Sequence, residues 1–444
     1  MTKGCKSGLA AGLAALMAVV MMAGTAPARA DAGFQQWIRD FRATAVANGV
    51  DGRVYDRAFA NVRTPDAEVL RKARFQPEGR DEAWQYIDAR VNERTIGDGR
   101  AMLRKHGRLL DRIERSTGVS KHILLAIWSM ESSYGEALTQ PGRLHYVPRA
   151  LATLAYADRR RAKFARSQLI AALKIAQRGD VAVEGLTGSW AGAMGHTQFI
   201  PTSYKAYAVD GDGDGRRDIW NSIPDALYTA ASLLKNNGWR SGETWGYEVV
   251  LPPGRKFPGG QMTLREWQRI GVVRANGEPF PRPGQQAELK VLQGRDGPAF
   301  LMIRNFFVIK RYNNADKYAL GVGLLADQIA GFPPPSRDWT RPFTRLTVAE
   351  SEELQQRLKR QGFYEGDVDG KIGHWANSLR ATDLTGDLSW YSGTAQRDMV
   401  SPRALCVTHM FNHQTHHRGQ VHAMMTAAGL EAPVSDMFLM PGEG

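Results

Sequence analysis

The chain has 444 residues, a formal net charge of +13 and 43% hydrophobic residues. That length and apolar content exclude a disordered or fibrous chain and leave room for two or three domains. The two cysteines, Cys5 and Cys406, exclude a disulfide scaffold, so the fold must rest on a packed core.

The first segment carries Lys3 and Lys6, then an almost wholly small or apolar run over 8–24, then Ala28-Arg29-Ala30. This is the pattern of a secretory signal peptide over residues 1–30, cut after Ala30. The run is short for a bilayer span. Cys5 precedes it, so it is not the lipid-bearing cysteine of a lipoprotein. The predicted mature chain is therefore soluble and exported to the periplasm, with no membrane span after cleavage. Loss of Lys3, Lys6 and Arg29 lowers the charge by three, from +13 to +10. A basic exported chain suits an anionic partner, and the acidic cell wall is favoured over nucleic acid.

Residues 33–120 are polar and predicted helical. Residues 120–240 are richer in apolar residues and motifs. The stretches "GYEVVLPPGRKFPGG" and "GEPFPRPGQQAELKVLQG" combine Pro/Gly turns with short alternating runs, predicting a small strand-containing insertion over about 246–310. A strand and then a helix over 315–330 follow. A Pro-rich linker occupies 333–346. Beyond it lie a charged segment, 347–373, and a His-rich tail, 374–444.

In "KHILLAIWSMESSYG", Glu131 has Leu124, Ile127 and Trp128 at i−7, i−4 and i−3, on one helix face. The acid points toward an apolar surface, where desolvation raises its pKa. A carboxyl that keeps its proton near neutral pH can act as a general acid. The alternative from this stretch alone is an acid at a frayed helix end, reaching solvent or a buried Arg.

The segments "IWSMESSYG", "GSWAGAMG", "QFIPTSY", "DGDGRRDIWNSIPD" and "NNGWRSGETWG" resemble, in order and spacing, the family 3 lytic murein transglycosylases of the membrane-bound lytic transglycosylase B type. The resemblance covers roughly 34–332 and makes 31–332 the catalytic domain. It implies an α+β, mainly α, lysozyme-like fold. It implies cleavage of the MurNAc–GlcNAc bond of peptidoglycan glycan strands without water, leaving a 1,6-anhydromuramoyl end. Glu131 matches the family's single acid/base, Ser189 a serine near it, and Gln198 a sugar-contacting glutamine. Tyr86, Tyr312 and Tyr318 match cleft positions, where an aromatic face packs on a sugar ring and the phenol bonds its hydroxyls. Gly188, Gly192 and Gly195 are expected to allow close backbone approach. No cofactor is required for the chemistry, and a monomer is expected. The other readings are a hydrolytic muramidase on the same scaffold and a non-catalytic wall-binding protein.

Asp210, Asp212, Asp214 and Asp218 occupy positions 1, 3, 5 and 9 of an EF-hand-like loop, with Gly215 at the turn and the Arg216 carbonyl at position 7. Alternating carboxylates on a tight turn suit a structural Ca²⁺. Position 12 is Asn221 rather than Glu, and the family resemblance offers Asp225 as the closing carboxylate. The alternative is a solvated acidic turn.

"LQQRLKRQGFYEGDVDGKIG" resembles the start of a peptidoglycan-binding type 1 domain, cut short at Gly373. Residues 374–444 resemble the last part of the DinB-like helical family. Its HxxxH pair falls on His413 and His417, at a spacing that suits Zn²⁺ or Ni²⁺ on one helix face. The early helices that would complete that bundle and its metal site are missing. A helical tail is expected, joined near 373 by gene fusion, frameshift or assembly error.

Overall fold

A computed structural model describes residues 31–74, 82–140, 142–294 and 297–340, scattered positions between 349 and 368, and the backbone of 387–392 and 397–402. The predicted signal peptide, most of segment 347–373, and His413 and His417 lie outside the described residues. The chain divides into two units, Met1–Asp338 and Trp339–Gly444.

The first unit is mainly helical. It opens with α1 (Ala32–Ala47), α2 (Gly52–Phe59), α3 (Ala67–Arg74), α4 (Ala83–Arg90) and the long α5 (Glu93–Thr117). Asn92 caps α5 at its start and Gly118, at φ 75, ends it. Next come α6 (Lys121–Ser132), α7 (Glu136–Thr139), β1 (His145–Tyr146), α8 (Val147–Ala157), α9 (Ala162–Arg178) and β2 (Thr187–Gly188). The helical part closes with α10 (Pro201–Tyr207) and α11 (Ile223–Asn236). Helix α6 is the hub. Ile123, Leu124, Leu125, Ala126, Ile127 and Trp128 are all buried, each large side chain contributing roughly 1.5–3 kcal/mol on leaving water. A helix that is apolar nearly all round must be covered on every side.

The strand-containing insertion forms as predicted. β3 (Gly246–Val250), β4 (Gln261–Thr263), α12 (Leu264–Arg269), β5 (Val273–Arg274), β6 (Gln286–Val291) and β7 (Ala299–Met302) follow in sequence. The five strands make one antiparallel sheet in the order β4-β6-β7-β3-β5. The central strand β7 is buried at every residue. Leu264, Trp267, Val272, Phe280, Ala287 and Leu301 give this subdomain its own core.

The predicted strand near 300 is shorter than the sequence suggested. "RNFFVI" turns into helix α13 (Arg304–Ile309), before α14 (Asp316–Ile329). The aromatic run is strand-like in composition, but Asn305, fully buried, bonds its side chain to the backbone of Arg240 and Glu243, fixing the start of the helix.

In the second unit, β8 (Asp387–Ser392) pairs antiparallel with β9 (Arg397–Pro402), from Asp387 opposite Pro402 to Ser392 opposite Arg397. That part of the predicted helical tail is therefore strand. "DLSWYS" alternates with aromatics, and a Gly follows it, a local pattern that favours a hairpin. No helix among the described residues is long and apolar enough to cross a membrane.

Candidate active site

Helix α6 ends in three successive left-handed residues, Ser133 (φ 49), Tyr134 (φ 59) and Gly135 (φ 94). Two of the three are not glycine, and such backbone is held only by its surroundings. Ser132 supplies part of that hold: its hydroxyl donates to the His196 carbonyl at 2.6 Å and accepts from the Gly135 N–H at 3.0 Å. The Trp128 indole donates to His196 Nδ1 at 3.2 Å. That makes Nδ1 an acceptor and the ring neutral, in keeping with a pKa lowered by burial. The loop 188–199 is thus fastened to the end of the helix that carries Glu131.

Glu131 keeps partial exposure, yet enough protein surrounds its carboxyl that desolvation dominates. Its pKa is pushed up to about 7, opposed by a hydrogen bond from Tyr318 and by the charge of Arg90. Tyr318 is buried and donates its hydroxyl to Glu131 Oε1 at 2.6 Å. The other oxygen, Oε2, has no hydrogen bond among the described residues.

Tyr318 reaches Glu131 because α14 packs closely on α6. Gly321, one turn beyond Tyr318, makes the contact: a Cβ there would lie 2.8 Å from the end of the Met130 side chain. The Tyr312 ring stacks on the Tyr318 ring, with centroids 6.5 Å apart and planes 13° from parallel. Its hydroxyl donates to the Thr197 carbonyl at 2.6 Å. Burial and the nearby Glu131 charge raise both phenols well above their usual range, so both remain protonated donors. Tyr86, on α4, lies close enough to raise Tyr318 further, and the Arg90 guanidinium sits 5.2 Å from the centre of the Tyr86 ring.

The structure therefore brings Glu131, Tyr318, Tyr312 and Tyr86 together. Ser189 and Gln198 lie in the fastened loop but make no hydrogen bond to Glu131 among the described residues. The Ser189 hydroxyl accepts from the Ala193 N–H at 3.0 Å, and the Gln198 amide donates to the Gly195 carbonyl at 2.9 Å. Gln198 has φ 49. Gly195 has φ 68, and a Cβ there would come 2.5 Å from the Ile219 carbonyl oxygen, so the expected close approach occurs. Arg90 was not singled out by sequence: one Arg among many on a polar helix carries no signal until the helix packs.

The acidic loop lies beyond α10. Asp210, Asp212 and Asp214 place carboxylate oxygens within 4.8 Å of one another. An all-oxygen set of this kind fits a hard cation. Asp225, expected from the family resemblance as the closing carboxylate, is not part of this cluster of three. It is fully buried, and its two oxygens accept from the backbone N–H groups of Gly211, Asp212 and Asp218 at 2.7, 3.3 and 2.6 Å. It shapes the loop from within. Arg216 binds Asp214 Oδ2 through its guanidinium at 3.0 Å. Asp180, also buried, ties the loop down through Arg217 at 3.0 Å.

A mainly helical domain with a desolvated carboxyl at a helix end, roofed by stacked tyrosines, defines an enzyme of the lysozyme-like class. Residues 33–327 match the family model described as the transglycosylase SLT domain, and the chain belongs to that family of lytic murein transglycosylases. It is 29% identical over 259 residues to the membrane-bound lytic murein transglycosylase B of Escherichia coli K12, covering 57% of this chain and 69% of that protein. Among solved structures, SltB3 from Pseudomonas aeruginosa in complex with NAG-NAM-pentapeptide is 44% identical. The TM-score is 0.66, over 76% of this chain and 90% of that one. The Escherichia coli lytic transglycosylase Slt35 in complex with calcium is 27% identical, with a TM-score of 0.56 over 67% and 93%. Residues 350–442 match the model of the DinB family.

Proposed function

We propose that this protein is a periplasmic lytic transglycosylase that cleaves the MurNAc–GlcNAc bond of peptidoglycan, with Glu131 as its single acid and base. The observation that carries the reading is the Glu131 carboxyl, raised to about 7 and held by the Tyr318 hydroxyl. At that pKa a large share of the enzyme is protonated at neutral pH. Protonated Glu131 gives its proton to the leaving glycosidic oxygen. The resulting carboxylate, steadied by Tyr318 and by the Arg90 charge, then takes the proton of the sugar's own C6 hydroxyl as that oxygen attacks C1. The substrate's N-acetyl group stabilises the developing cation at C1. One carboxyl performs both transfers, and a 1,6-anhydro end results.

A hydrolase of this type needs a second carboxyl, roughly 5–9.5 Å from the first. The charged side chain that opposes burial at Glu131 is a cation, Arg90, which steadies the carboxylate form that the single-carboxyl route needs for its second proton transfer. Tyr86 and Tyr312 border the glycan, the buried Tyr318 acts on it through the Glu131 carboxyl that its hydroxyl holds, and Ser189 and Gln198 border it from the 188–199 loop. Asp210, Asp212 and Asp214, with the Arg216 carbonyl, would hold a structural Ca²⁺ that stiffens the loop; the chemistry does not pass through it.

Mass spectrometry of the soluble products from peptidoglycan sacculi tests the reading. Anhydro-muropeptides from the wild type and none from Glu131→Gln are expected. Reducing-end muropeptides would replace the reading with a muramidase, and no products from either protein would leave a wall-binding role.

A further inference from the structure

Glu131 is tied to its surroundings along two lines of contact, and both end on one dipeptide, His196-Thr197, in the 188–199 loop. The first line runs through the helix of Glu131 itself. The His196 ring accepts the Trp128 indole N–H at 3.2 Å, one turn before Glu131, and the His196 carbonyl accepts the Ser132 hydroxyl at 2.6 Å, directly after it. The ring also lies against the left-handed turn that ends α6: a Cβ on Gly135 would come 2.4 Å from the ring Cε1. The second line runs through the tyrosines. The Thr197 carbonyl accepts the Tyr312 hydroxyl at 2.6 Å, the Tyr312 ring stacks on Tyr318, and Tyr318 donates to Glu131 at 2.6 Å. The contacts form a closed circuit, which leaves Glu131 through Tyr318 and returns to its helix through His196.

The dipeptide is itself anchored. The His196 N–H bonds to the Ile219 carbonyl at 3.0 Å, and the hydroxyl of the fully buried Thr197 bonds to the Ala226 carbonyl at 3.4 Å. A fixed point shared by both lines sets the distance between α6 and the tyrosine stack. An indole N–H can only donate, so the circuit closes only where residue 196 offers an acceptor. Without one, the N–H of Trp128, which is 1% exposed, stays buried and unsatisfied, a cost of about 1–3 kcal/mol that shifting the loop relieves. Such a shift carries Thr197 and Tyr312 with it and slackens the hold of Tyr318 on the carboxyl. Small displacements of this kind are expensive at a catalytic group.

We propose that His196 is a positioning residue: by accepting the Trp128 N–H it sets the 188–199 loop against α6 and so fixes the Tyr318 hydroxyl on the Glu131 carboxyl. The inference rests on the activity proposed for Glu131.

Two substitutions in the full chain test it. His196→Leu keeps bulk and removes the acceptor, whereas His196→Asn can place its Oδ1 where the histidine has Nδ1. His196→Leu should lower kcat roughly tenfold, the scale of one lost hydrogen bond, and leave KM unchanged. His196→Asn should restore most of kcat. Carbon-13 NMR of protein labelled at the glutamate carboxyls reads Glu131 without turnover, its resonance being assigned by its loss in Glu131→Gln. The Glu131 titration midpoint should rise in His196→Leu toward that of Tyr318→Phe, because the same hydrogen bond is weakened. It should not rise further when both substitutions are combined. An unchanged midpoint in His196→Leu would overturn the proposal, even with a lower melting temperature, since that is the mark of a purely structural role. Additive shifts in the double variant, or an Asn variant as impaired as Leu, would overturn it too. A wild type that releases no anhydro products would instead refute the activity proposed for Glu131, and the titration would still decide whether His196 positions the carboxyl.

Discussion

Replacing Glu131 with Gln should make the protein more stable while removing its activity. The amide keeps the shape of the carboxyl and can still accept the Tyr318 hydroxyl, but it cannot ionise. Folding raises the carboxyl from its ordinary value of 4.5 to about 7. Each unit is worth about 1.36 kcal/mol, so ionised Glu131 costs the folded wild type about 3 kcal/mol. The sign follows from proton binding. Below pH 4.5 the side chain is neutral in both folded and unfolded wild type, and the two proteins match. Between pH 4.5 and 7 the unfolded chain loses its proton while the folded chain retains it, so wild-type stability falls relative to the variant. Above pH 7 the gap levels off. Thermal melts of both proteins from pH 4 to 9 read this directly, as a difference that grows to several degrees. A difference independent of pH, or a variant less stable than the wild type at pH 8, would refute the argument that burial holds this carboxyl neutral.

Activity should fall with the same ionisation: kcat/KM on glycan strands should decline above about pH 7, where the acid loses its proton. Tyr318→Phe removes the hydrogen bond that holds the Glu131 pKa down, so the alkaline limb should move to higher pH and kcat should drop roughly tenfold. Asp225→Asn disturbs a buried acceptor of three backbone N–H groups and should cost about 2–3 kcal/mol in a denaturant titration. Added Ca²⁺ should raise the melting temperature of the wild type, by about 2.7 kcal/mol of stability at a hundredfold excess over Kd. Asp212→Asn should blunt that gain, and an undiminished gain would remove the loop as the site.

The central features of the site were legible because they follow local rules. An acid one and two turns after Trp128, Ile127 and Leu124 must share their face, and the structure buries all three and leaves Glu131 partly exposed at its end. The Pro/Gly-rich stretches announced the strand insertion, since turn residues and short alternating runs act locally. What escaped was set by tertiary contact. Arg90 gains its place only when α4 lies beside α14. The left-handed run at 133–135 is held by His196, more than sixty residues away. Asp225 carries no local sign that the loop folds around it, its two oxygens accepting the backbone N–H groups of Gly211, Asp212 and Asp218. The 387–402 hairpin shows that a stretch resembling part of a helical bundle can follow its own strand propensity.

The claim at the centre of this account is that the attacking oxygen belongs to the sugar and not to water. Digestion of peptidoglycan in ¹⁸O-labelled water, followed by mass spectrometry of the released muramoyl ends, tests it most directly. The account predicts anhydro ends with no ¹⁸O, formed by the wild type and absent with Glu131→Gln. Muramoyl ends carrying one ¹⁸O at C1 would contradict it.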